Sequence, residues 1–192
     1  MRIVDNFKDY EDVESFNQET TLDDDTKLLI VGTLTPPEGK DKYFYSSEDN
    51  KIYGYIDEAL SLCNDYSLKN LRDSFYHDGS NKDAIKEEIM NHLKENNIAF
   101  LDVIKYAKRK KDSPDDKDII VAELDYDAFK DLKNVKTIIV NSRAAENAFD
   151  KIIKKNKSKG IEYRPFTKKF IPQRGNGFSK RKWVEAIREG LR

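Results

Sequence analysis

The sequence predicts an α/β protein, a three-layer αβα sandwich around a short, mainly parallel sheet of four strands. Three observations predict it. Short apolar runs at Lys27–Val31, Ile98–Leu101 and Val135–Val140 stand apart, and each is followed directly by glycine or a polar residue. Stretches with apolar residues at helical spacing separate them. The first run, Leu28-Leu29-Ile30-Val31, is continuously apolar rather than alternating, which is the pattern of a strand buried on both faces of a parallel sheet.

Composition sets the outer bounds. At 192 residues the chain suits one domain with a substantial core, and 37% charged against 38% hydrophobic residues describes a heavily solvated surface. No apolar run approaches the roughly 18 residues of a membrane span. The opening MRIVDNFKDYEDVE is acidic and lacks an apolar signal region, so a cytoplasmic monomer is expected. Cys63 falls among apolar helix positions and reads as a core thiol. His77 and His92 have no acidic or thiol partner at ligand spacing, so no metal and no cofactor are expected.

Charge is unevenly spread. Residues 1–26 hold nine acids against Arg2 and Lys8, a balance of −7, whereas residues 151–192 hold fourteen Lys or Arg against three Glu, a balance of +11. A basic end of that strength suits either phosphate or an ordinary solvated face.

In chain order, residues 1–26 read as an acidic arm that packs Ile3, Val4, Phe7, Tyr10, Val13 and Phe16 on a single domain of residues 27–192. The first strand, Lys27–Val31, ends at Gly32 and opens into Thr33-Leu34-Thr35-Pro36-Pro37, where two prolines stop both strand and helix. Such a loop leaves the carboxyl end of a central strand, where open α/β sheets place their ligands. Tyr43, Phe44 and Tyr45 follow, and then Asn50 at the mouth of a helix carrying Ile52, Tyr55, Ile56, Ala59, Leu60 and Cys63. By itself Asn50 reads as that helix's N-cap; aromatics and an amide above a strand end also suit a flat, polar-edged ligand such as a nucleobase.

A short helical piece with Leu68, Leu71 and Phe75 comes next, then a helix from Asp83 as N-cap to about Asn96. The strand Ile98–Leu101 leads into Asp102. Lys105 and Lys108-Arg109-Lys110-Lys111 read as a basic loop, and Tyr126–Leu132 as a short helix. Val135–Val140 runs into Asn141-Ser142 and a helix from Ala144 to about Asn156. The last strand is expected within Ile161–Phe166 and Phe170–Pro172, followed by the loop Gln173–Ser179 and a helix Lys180–Leu191.

Taken together, the loops resemble the uracil-DNA glycosylase superfamily, most closely its mismatch-specific and hypoxanthine-DNA branches. The family's first motif, an apolar strand into Gly-Ser/Thr-Phe-Pro and then Tyr-Tyr-Ala-His-Pro-Arg-Asn, is matched by Gly32-Thr33-Leu34-Thr35-Pro36 and by Phe44-Tyr45-Ser46-Ser47-Glu48-Asp49-Asn50. Asn97-Ile98-Ala99-Phe100-Leu101-Asp102-Val103 looks like its middle segment, and Ile138-Ile139-Val140-Asn141-Ser142 like its third. In place of the family's last motif stands Ile171-Pro172-Gln173-Arg174-Gly175-Asn176-Gly177.

The resemblance implies an enzyme that flips a damaged or mismatched base out of DNA and hydrolyses its N-glycosidic bond without a metal. On that basis Asn50 would position water, and Asp102 would hold the pocket loops or act as a base. Gly32, Thr33, Leu34 and Thr35 would line the pocket, Tyr45 would stack on the base, and Asn141 with Ser142 would meet its Watson–Crick edge. Arg174, Gly175, Asn176, Lys180 and Arg181 would meet DNA. A non-catalytic nucleic-acid or nucleotide binder of the same fold, and a different α/β enzyme acting on a small nucleoside, are the alternatives. The basic third favours a polymer over a free nucleoside.

Overall fold

The computed structural model describes residues 9–34, 50–62, 67–77, 81–111, 116–173, 175 and 177–192. The elements are β1 (Tyr10–Glu14), β2 (Leu28–Gly32), α1 (Ile52–Leu60), α2 (Leu68–His77), α3 (Lys82–Glu95), β3 (Ile98–Asp102) and β4 (Ile104–Lys110), followed by β5 (Ile119–Leu124), β6 (Thr137–Val140), α4 (Arg143–Ser158), β7 (Thr167–Phe170) and α5 (Lys180–Gly190).

The main sheet has the order β3-β2-β6-β7, and every neighbouring pair is parallel. β2 lies inside it with all five residues buried. Side chains alternate along a strand, so Leu28 and Ile30 face one layer while Leu29 and Val31 face the other. The first layer is α1, α2, α3 and α5, with Tyr53, Phe75, Ile89 and Trp183 in one core. The second is α4 with the residues of a smaller sheet, where Phe129, Phe149 and Ile152 pack. Gly190 lets the end of α5 close on the sheet: a Cβ there would meet Leu28 Cδ1 at 2.9 Å and Thr137 Cβ at 3.0 Å. The expected three-layer arrangement is therefore present.

The smaller sheet is the main departure from expectation. β1, β4 and β5 form three antiparallel strands, so Lys108, Arg109 and Lys110 are strand residues rather than a basic loop. The acidic arm explains why. β1 lays Glu11 opposite Arg109 and Asp12 opposite Lys108, and opposite charges in such cross-strand positions attract. Lys108 Nζ reaches Asp12 Oδ1 at 2.6 Å, and the Tyr106 hydroxyl donates to the same oxygen. These two hydrogen bonds, Lys108 first, hold the Asp12 carboxyl below its ordinary value. Val13 is buried, while Ile3, Val4 and Phe7 lie outside the described residues.

Three smaller corrections follow. Residues 126–130 form turns, not a helix, because the buried Asp125 accepts the Ala128 N–H at 3.0 Å and offers the backbone a local alternative. The last strand begins only at Thr167, after Pro165 has removed a ladder donor. Asn81, not Asp83, occupies the N-cap position of α3. Cys63 lies outside the described residues. No helix among the described residues is long and apolar enough to cross a membrane, and no group of three His, Cys, Asp or Glu among them could hold a metal ion.

Candidate functional site at the strand ends

The carboxyl ends of β2, β3 and β6 lie side by side, bringing Gly32, Asp102 and Val140 to one edge of the sheet. The chain turns there under specific bonds. Thr33 and Ser142 share a hydrogen bond of 2.8 Å between their hydroxyls. Ser142 Oγ also accepts the Ala145 N–H at 3.0 Å, so it is the N-cap that starts α4. Asn141 is buried, and its carbonyl accepts the Gln173 N–H at 3.3 Å, which fastens the loop after β7 to the β6 end.

That loop forms one wall of a cleft of about 400 Å³ lined by Asn50, Lys51, Ile52, Tyr55, Gln173, Gly175 and Phe178. Gly175 and Gly177 have φ of 76° and 93°, a region that glycine enters without the Cβ penalty. The indole N–H of the fully buried Trp183 holds the Pro172 carbonyl at 3.3 Å. Phe178, 41% exposed, lies with its ring 6.2 Å from Tyr55, whose ring is 6.3 Å from Trp183. Burial raises the Tyr55 hydroxyl's pKa against the opposing pull of the Lys180 ammonium, so Tyr55 enters the cleft wall as a neutral donor.

Asn50 is the amide of this cleft. Its Oδ1 accepts the Ile52 N–H at 3.0 Å, and its carbonyl accepts from the Arg72 guanidinium. Lys51, not Asn50, occupies the N-cap position of α1, so Asn50 stands one residue before it and braces the helix start through a local turn bond. Among the described residues one Oδ1 lone pair and both Nδ2 hydrogens stay available. Across the cleft, Gln173 Nε2 is buried with no hydrogen-bond partner. A buried donor in that condition is the kind of group that a bound acceptor satisfies.

Of the other expected residues among those described, only Gly175 lines this cleft; Gly32, Thr33, Leu34, Asn141 and Ser142 at the strand ends and Lys180 and Arg181 on α5 do not. Asp102 is fully buried at the β3 end and does not line it. Its backbone N–H and C=O are both bonded at 2.8 Å by the side chain of Asn17, which also donates to Asp125 at 2.8 Å. Leu34 is buried, its carbonyl held at 2.9 Å by Arg109, itself only 1% exposed. Lys180 is paired with Glu58 at 2.5 Å and Arg181 with Glu185 at 2.6 Å on the exposed first turn of α5. Thr35, Tyr45, Arg174 and Asn176 lie outside the described residues.

No family model and no curated protein matches the sequence. A solved structure does match the fold: the solution structure of a "putative Uracil DNA glycosylase" from Methanosarcina acetivorans, at a TM-score of 0.63 and 21% identity, covering 95% of this chain and all of that one. The fold is uracil-DNA-glycosylase-like.

Within this uracil-DNA-glycosylase-like fold, several residues that shape the site were invisible to pattern reading. Arg72, Arg109 and Asn17 act on backbone groups far away in sequence, and nothing local marks them. Tyr55 and Phe178 carried a weak signal, as aromatics beside a helix start and a glycine-rich loop. A cavity of about 510 Å³ bounded by Lys27, Lys136 and Arg164 opens at the opposite, amino end of the strands, away from these groups.

Proposed function

We propose that the chain hydrolyses the N-glycosidic bond of a deaminated base in DNA, receiving the flipped base in the cleft beside Asn50. The observation that carries this reading is the amide of Asn50, placed on a cleft at the carboxyl side of a parallel sheet in a uracil-DNA-glycosylase-like fold. The remaining Oδ1 lone pair accepts a hydrogen bond from water and aims the water oxygen at the sugar C1′. The bond to the base breaks as the sugar takes on oxocarbenium character and the base leaves as an anion; water then adds to C1′ and its proton passes to that anion, giving the sugar hydroxyl and the neutral base. Donors at the strand ends stabilise that negative charge, a role that needs fixed dipoles rather than a metal. The peptide groups around Thr33 and Leu34 and the amide of Asn141 are the nearest such groups in the sequence order of the strand ends. Asp102 acts from beneath, holding the β3 end against Gly32.

A second reading, a non-catalytic reader of the same fold, is favoured by one observation: Asn50 Oδ1 is already engaged by the Ile52 N–H. A single-turnover assay separates them, using oligonucleotides that carry uracil, hypoxanthine, xanthine or thymine mismatches, single- and double-stranded, with alkali to cleave abasic sites. Excision that disappears in Asn50→Ala while DNA binding persists is the expected result. Asn50→Ser, which keeps an oxygen for the Ile52 N–H without the amide, controls for the lost turn bond. Salt-sensitive binding with no excision of any base would leave the reader.

A further inference from the structure

We infer that Arg72 is the positioning residue for Asn50, fixing the amide from behind without touching the substrate. The inference rests on the reading of Asn50 given above. Arg72 lies on α2, is only 4% exposed, and donates through Nη1 to the Asn50 carbonyl. Its Nε and Nη2 both point to Asp73 Oδ1, at 3.1 and 2.5 Å. Asp73 Oδ2 is in turn held by Lys69 at 2.9 Å. A guanidinium is a rigid planar fork, so fixing two of its nitrogens fixes the direction of the third.

The helix that carries Arg72 is itself tied to the helix that Asn50 starts. Asp57, on α1, accepts the Leu68 and Lys69 N–H groups at 2.8 and 2.9 Å and the Ser67 hydroxyl at 2.8 Å, so an α1 carboxylate caps α2. The bonds close a ring: the Asn50 side chain holds the Ile52 N–H at the start of α1, α1 caps α2 through Asp57, and α2 returns to Asn50 through Arg72. Each arm of the ring removes a freedom from residue 50. The Ile52 bond orients its side chain, and the Arg72 bond pins its peptide plane. A buried guanidinium is costly unless its nitrogens find acceptors, and here each of the three does, Nη1 on the backbone carbonyl of Asn50. Lysine cannot replace it, because a single ammonium has no fork to span Asn50 and Asp73.

The test uses Arg72→Gln and Arg72→Lys in the full chain, with two independent readouts. The first is hydrogen exchange at the Ile52 amide, which reports the bond to Asn50 Oδ1 whether or not the protein cleaves anything. We expect it to quicken about tenfold in both variants while the amides of Ile30 and Ile139 in the sheet stay protected. The second is single-turnover excision against DNA affinity: the rate falls by about a hundredfold with binding unchanged, and added guanidinium ion restores part of it in Arg72→Gln. Unchanged Ile52 exchange overturns the inference. Quickened exchange in a protein whose wild type excises no base keeps Arg72 as the support of Asn50 and removes the glycosylase reading alone. If Arg72→Gln does not fold, Asp73→Asn loosens the same guanidinium from the surface side and carries both readouts.

Discussion

Thr33 and Ser142, 109 positions apart, join their hydroxyls at 2.8 Å across the carboxyl ends of β2 and β6. The same Ser142 oxygen caps α4, so one side chain sets both the strand-end spacing and the direction of the following helix. We predict that Ser142→Ala lowers stability by about 1–2 kcal/mol, the usual cost of a lost N-cap, measured by urea unfolding. Thr33→Val removes the hydroxyl pair and keeps the cap, so it falls short of that loss. Equal losses in the two variants would show that the cap contributes nothing.

Asn17 replaces a strand neighbour for Asp102. Its amide bonds both backbone groups of Asp102 and the carboxylate of Asp125, all in a buried setting. Asn17→Ala leaves those groups without partners, each at a cost of about 1–3 kcal/mol. Chemical denaturation should show a loss of at least about 3 kcal/mol; a loss below 1 kcal/mol would mean water takes over the role.

Gln173 should behave in the opposite way. Removing a buried donor that has no partner relieves a cost instead of creating one. Gln173→Met should therefore raise the stability of the free protein by about 1 kcal/mol and weaken its hold on the ligand. A variant less stable than wild type would assign Gln173 a structural bond instead.

The pH dependence of stability should carry a contribution from Asp73. Burial works to raise its carboxyl, but the hydrogen bonds from Lys69 and Arg72 outweigh it and leave the group below the ordinary value of 3.8. A carboxyl lowered on folding stabilises the protein above its unfolded value, and that stability is lost as pH falls through the folded value. Wild type should exceed Asp73→Asn in stability at neutral pH, and the two curves should converge in strong acid. Parallel curves would refute the shift.

The salt dependence of DNA binding should distinguish two basic regions. Lys180, Arg181 and Lys182 open α5 directly after the cleft loop, whereas Lys151, Lys154, Lys155 and Lys157 sit on the second half of α4. The crossover from β6 to parallel β7 returns that half of α4 to the amino ends of the strands, away from the cleft. Replacing Lys182 by Ala should reduce the slope of log affinity against log salt by about one, and Lys154→Ala should leave it unchanged. The reverse pattern would move the nucleic acid to the other end of the sheet.

Local sequence was enough for three of the four strands of the parallel sheet, the fourth lying at Thr167–Phe170, largely between the two stretches expected to form it. Leu28–Val31 and Ile98–Leu101 are uniformly apolar and Val135–Val140 nearly so, the pattern of strands covered on both faces, and helical spacing separates the first two as a parallel crossover requires. The residues that end those runs, Gly32, Asp102 and Asn141, then mark one edge of the sheet without any coordinates. The second sheet could not be read this way. β4 carries Lys105, Lys108, Arg109 and Lys110, which resembles a solvated loop until the acidic β1 lies against it. Strand pairing of that kind depends on a partner about ninety residues away, and so does the burial of Arg109 against Leu34. The setting of Asn50 has the same origin. A sequence names an amide at a helix start; the direction in which it is held depends on Arg72 and Asp57, whose bonds exist only once α1 and α2 have packed. Hydrophobic periodicity is a local property and survives in the sequence, whereas the bonding of buried polar groups is fixed by which distant elements come into contact.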